Sequence, residues 1–143
     1  METIVVGVDG SACATEALRW AIAEARLRGA RVVALNAWSV PHVSTASEAA
    51  RLIAQDFAPI RDAANELLDA QVDDALGGAQ DVTVDTVAVE GPAAPALIAA
   101  AADASLLVVG SRGLGGFKGL LLGSVSQQCA HHSPCPTVIV RSA

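Results

Sequence analysis

Two short stretches of this 143-residue chain carry residue types that can do chemistry. The first is Gly7-Val8-Asp9-Gly10-Ser11 and the second runs from Gly110 to Ser126. The second stretch has glycines at 110, 113, 115, 116, 119 and 123, with Arg112 and the only lysine of the chain, Lys118, among them. Glycines remove the side chains that would keep a ligand away from backbone amides. A segment that then opens a helix at Ser124 adds the positive end of the helix dipole, so together they form an anion site. A β-branched side chain at 113 or 123 is expected to fill the space of the phosphates and to resist a positive φ there. The pattern is not Walker A, since no Gly-Lys-Ser/Thr occurs, and the dinucleotide fingerprint is missing after the first strand. A flexible glycine loop that binds nothing has the same composition. Asp9 reads in two ways, as a ligand contact at a strand end or as a carboxylate bonded to the amides of its own turn. Arg112 and Lys118 are equally open between phosphate contacts and solvated loop charges.

These stretches need a frame, and the chain alternates strand and helix signals. Thr3 to Val8 is apolar on both faces, as in a covered parallel strand. Ser11 caps a helix that runs to about Arg28 and stops at Gly29. Arg31 to Trp38 reads as the second strand, followed by a polar loop with Pro41 and His42. Thr45-Ala46-Ser47-Glu48 has capping-box spacing. Pro59 forces either a kink or a fresh helix continuing to Leu76, ended by Gly77-Gly78. Asp81 to Val89 alternates polar and apolar residues like a strand near a sheet edge, and Ala93 to Ala102 reads as helix. Ser105 to Val109, a helix from Ser124 to about His131, and a strand from Thr137 to Arg141 complete the series. The expectation is one α/β domain over 1–143, a doubly wound, Rossmann-like five-stranded parallel sheet with helices on both faces. In such sheets the ligand lies at the carboxyl ends of the strands, beside the point where strand order reverses.

Composition narrows the function. Hydrophobic residues make up 52% of the chain, enough for a sizeable core, while aromatics are only 3%. A formal charge of −6 argues against a nucleic-acid or anionic-lipid footprint, so neither nucleic acid nor membrane is expected as partner. The longest apolar run, Ala93 to Ala102, is too short for a bilayer span. The start of the sequence has no signal-peptide pattern, and the odd set Cys13, Cys129 and Cys135 argues for reduced thiols; both fit a cytoplasmic protein. Cys129, His131, His132 and Cys135 raise zinc, but the spacing lacks the usual knuckle.

The segment Gly110-x2-Gly113-x9-Gly123-Ser124, with the opening Ile4 to Ser11 and the closing Cys135 to Val140, resembles the ATP-binding members of the universal stress protein family over essentially the whole chain. The resemblance implies strand order 3-2-1-4-5 and ATP, possibly with Mg2+, across strands one and four. It places adenine by Val8, Asp9 and Ala37, with Asp9 as the ribose or metal candidate. Gly110 and Gly113 would approach the ribose and α-phosphate, with Arg112 between them. Gly123, Ser124, Val125 and Ser126 would meet the phosphates through amides and hydroxyls. The glycine loop has no Asp or Glu to orient a water, which favours a nucleotide-dependent stress-response regulator over a catalyst. The alternatives are a slow ATPase or nucleotidyl transferase, and a partner-binding module with a structural nucleotide or cyclic AMP. A receiver would want an acidic cluster at strand one, and an ATP pyrophosphatase a Ser-Gly-Gly loop there. Thr137 to Arg141 is expected to join two subunits as a homodimer, because an apolar edge strand invites pairing.

Overall fold

The computed structural model describes residues 1–40, 43–53, 56–113 and 122–142. Strand β1 (Thr3–Gly7) leads into helix α1 (Ala12–Arg28), and β2 (Arg31–Trp38) into α2 (Ala46–Ile53) and α3 (Ala58–Leu76). Then come β3 (Val84–Glu90), α4 (Ala93–Ala100) with a 3-10 turn (Ala101–Asp103), β4 (Leu106–Gly110), α5 (Ser124–His132) and β5 (Thr137–Val140). The five strands form one sheet in the order β3-β2-β1-β4-β5, every pair parallel. The doubly wound α/β expectation and its strand order therefore hold.

Local chemistry sets most boundaries. The Ser11 hydroxyl accepts from the Ala14 amide at 3.1 Å and starts α1, and Gly29 ends it at φ 65°, where the left-handed backbone costs a glycine nothing. Pro59 starts a fresh helix rather than a kink, since α3 begins at Ala58 and places the proline in its first turn. The Thr45 hydroxyl accepts from the Glu48 amide at 3.1 Å, but the Glu48 carboxylate reaches past Thr45 to the amide and hydroxyl of Ser44, both at 2.9 Å. That is a correction to the capping box. Strand β3 begins three residues later than its alternation suggests, because β2 offers no partner before Val32, which pairs with Val84. Helix α4 is two residues shorter than its apolar run and tightens into the 3-10 turn.

Alternation along β1 divides the core. Ile4 and Val6 face α1 and α3, packing with Leu18, Leu68 and Val72, while Val5 faces Leu97 of α4 and Cys129 of α5. Both layers are aliphatic. Cys129 is fully buried in the second layer, and burial alone pushes its thiol up. No helix among the described residues is long and apolar enough to cross a membrane. Among those residues, no group of three or more His, Cys, Asp or Glu could hold a metal.

Candidate functional site

Strand order reverses between β1 and β4, and a cavity of about 480 Å3 opens there at the carboxyl ends of the strands. That volume lies in the range of small-molecule sites, roughly 300–1,000 Å3. All ten residues singled out from the sequence line it. Val8 and Asp9 come from the end of β1, Ala37 from β2, and Gly110, Arg112 and Gly113 from β4 and its exit. Gly123, Ser124, Val125 and Ser126 come from the start of α5. Lys118, His42 and the glycines at 115, 116 and 119 lie outside the described residues.

The β1–α1 turn is built around Asp9. One carboxylate oxygen accepts from the Ser11 amide at 2.9 Å and from the Ser11 hydroxyl at 2.5 Å, so the turn role is real. The other oxygen faces Gly113, where a Cβ would stand only 2.6 Å from it. Asp9 thus shapes its turn and borders the cavity at once. Behind it, the Asn36 amide donates to the Val8 carbonyl at 2.7 Å and ties the ends of β1 and β2 together.

The two ends of the glycine segment are tied as well. The Gly123 amide donates to the Ser111 carbonyl at 2.7 Å, and the Ser126 hydroxyl lies 3.0 Å from both the Ser111 and Gly123 carbonyls. Ser126 is therefore buried and committed to backbone, while Ser124 stands exposed at the mouth. Among the described residues no side chain caps α5. Gly113 and Gly123 do not take positive φ, unlike Gly10 at 86°, so resistance to a left-handed backbone does not apply at either position. Gly110 is glycine for packing, since a Cβ there would meet the Cys13 backbone at 3.0 Å.

Sequence reasoning missed the apolar wall. Leu35, Val109 and Leu97 line the cavity beside Ala93 and Ala14. Their types and positions are those of ordinary core residues, so only the fold marks them. Cys13 was also missed. Burial pushes its thiol up, but hydrogen bonds with the Ser111 and Ser142 side chains and with the Arg112 and Ser142 backbone outweigh this and bring it to about 7. Its Sγ lies 3.4 Å from the Ser111 hydroxyl and 3.2 Å from that of Ser142.

A family model described as the universal stress protein family matches residues 1–141. The chain belongs to the universal stress protein family. Among curated universal stress proteins, one from Mycobacterium tuberculosis is 35% identical over 144 residues, covering 98% of this chain and 45% of its own length. The chain spans about half the length of the curated relatives it matches. Of solved universal stress proteins, one in complex with cAMP is 30% identical with a TM-score of 0.62, covering 99% of this chain and 98% of its own. UspA from Lactobacillus plantarum has the same fold, with a TM-score of 0.71 at 23% identity, covering 98% of this chain and 97% of its own.

Proposed function

We propose that the cavity between β1 and β4 binds an adenine nucleotide and that the protein acts as a nucleotide-dependent regulator in a cytoplasmic stress response. The observation that carries this reading is the convergence of ten residues from four chain segments on one cavity of nucleotide-site size. The donor chemistry fits. Leu35, Leu97 and Val109 offer an apolar wall for a base, and Asp9 an acceptor for ribose hydroxyls. The uncapped start of α5 at Gly123 and Ser124, with Arg112 beside it, offers amides and a cation for phosphates. ATP is the proposed ligand. Mg2+ would be held mainly by the phosphates, with Asp9 the one carboxylate among the described lining residues.

In this reading that same carboxylate serves Ser11 and the ribose or Mg2+, and it is not assigned to an attacking water. A receptor is therefore favoured over a hydrolase. The universal stress protein solved with cAMP favours a second reading, a cyclic nucleotide in the same cavity. Strand β5 ends the sheet as an edge, and we place a homodimer interface along Thr137 to Arg141. Calorimetric titration with ATP, ADP, AMP and cAMP tests the proposal. Saturable binding of at least one supports it, and no binding of any overturns it.

A further inference from the structure

One side chain outside the cavity makes three long-range hydrogen bonds to the β1–α1 turn and the first turn of α1, where Ser11 lines the cavity. Gln71 of α3 accepts from the Gly10 amide at 3.0 Å through Oε1. Its Nε2 donates to the Ser11 carbonyl at 3.1 Å and to the Thr15 hydroxyl at 2.7 Å. The turn it holds is the one whose carboxylate, Asp9, borders the cavity. We propose that Gln71 is a positioning residue for the nucleotide site, locking the β1–α1 turn to α3 so that Asp9 stays against Gly113; this rests on the nucleotide-binding reading above.

The chemistry of the pairing is specific. The turn presents a backbone donor at Gly10 and a backbone acceptor at Ser11, and a carboxamide, with its acceptor and donor on separate atoms, meets both from one side chain. A Glu or Lys at the same place would satisfy one sense and oppose the other. Packing reinforces the lock, because Leu67, one turn earlier on α3, covers Gly10, with Cδ1 3.1 Å from where a Cβ would stand. Gly10 is held at φ 86°, a left-handed backbone that glycine adopts without cost. The bonds inside the turn, from Ser11 to Asp9, set its shape, whereas those of Gln71 set its place relative to α3. Helix α1 does not depend on Gln71, since Ser11 still caps it and still accepts from the Thr15 amide at 3.1 Å. Removing the carboxamide should therefore leave the fold and loosen the site.

The test compares Gln71→Leu with Val72→Ala, a core change at the neighbouring position of the same helix. ATP affinity is measured by calorimetry, melting temperature by circular dichroism, and exchange of the Gly10 amide by NMR. Gln71→Leu should weaken ATP binding about tenfold, the scale of one or two lost hydrogen bonds, and speed Gly10 exchange. Val72→Ala should lower the melting temperature at least as much and keep the affinity. Unchanged affinity in Gln71→Leu, or an equal loss in Val72→Ala, overturns the positioning role while leaving the site reading intact. Absence of ATP binding by the unmodified protein overturns both.

Discussion

Gly123 and Gly113 separate a glycine required by a ligand from one required by the protein. At Gly123 the backbone is extended, with φ −76° and ψ 170°, which any residue adopts. A Cβ there would lie 3.5 Å from the Arg112 Cα and the Ser111 carbonyl, ordinary van der Waals contact. Alanine at a helix N-cap costs roughly 0.5–1.5 kcal/mol relative to glycine, and the less flexible unfolded chain returns about 0.4–1 kcal/mol. Gly123→Ala should thus change stability by less than about 1 kcal/mol. At Gly113 the Cβ would stand 2.6 Å from the Asp9 carboxylate, which cannot swing aside without giving up its bonds to Ser11. Gly113→Ala should cost about 1–3 kcal/mol, the range for breaking such charged hydrogen bonds. Urea unfolding of both variants checks the stabilities, and calorimetry with ATP checks binding. Gly123→Ala should bind at least about tenfold more weakly despite its intact fold, because its methyl enters the gap between the α5 start and the β4 exit. Unchanged affinity in Gly123→Ala would refute the placement of phosphates at the α5 start. Equal stability losses in the two variants would refute the geometry.

Asp9→Asn keeps an acceptor for the Ser11 amide and should hold the turn, while Asp9→Ala should lose about 1–3 kcal/mol of stability along with affinity; urea midpoints and ATP titrations of the pair distinguish turn from ligand contact. The Cys13 thiol, at about 7 in the folded protein against an ordinary 9.0, adds stability as pH rises from about 7 and reaches its full value above about 9. The stability of the unmodified protein minus that of Cys13→Ala should rise by roughly 2 kcal/mol between those limits in urea titrations, and a flat difference would show a thiol that stays protonated. For the β5 interface, lysines at Val138 and Val140 are a poor probe, since both side chains pack against the core of their own subunit. The carbonyls of Pro136 and Val140 accept from β4, so the Ile139 backbone faces outward by alternation. Ile139→Pro removes the outward amide and should give monomers by light scattering while circular dichroism shows a retained fold, its own core contact being the smaller loss; a folded variant that stays dimeric would move the interface elsewhere.

The sequence displayed what local chemistry determines. Strand β2 was legible at both ends because Gly29 stops α1 just before it and the polar loop follows Trp38. Helix α3 was legible through Pro59 and the Gly77-Gly78 pair. The glycines and helix start that line the cavity could be picked out because their spacing has a chemical meaning without tertiary context, whereas Ala37 entered through the family resemblance. Gln71 and Leu97 were not, because their roles depend on contacts across the fold, 61 residues in the case of Gln71 to Gly10. Ser126 was misjudged for a related reason: its hydroxyl is taken up by carbonyls at the two ends of the glycine segment, and no spacing rule reports that closure. The positive φ expected at Gly113 and Gly123 failed because those glycines make room rather than turns.

The most direct test of nucleotide binding between β1 and β4 is a titration of isotope-labelled protein with ATP, followed by NMR of the backbone amides. Saturable shifts should concentrate at Asp9, Ala37, Gly110, Gly113 and Gly123 to Ser126, the described rim of the cavity. Shifts that saturate on another surface, or none up to millimolar ATP and cAMP, would contradict it.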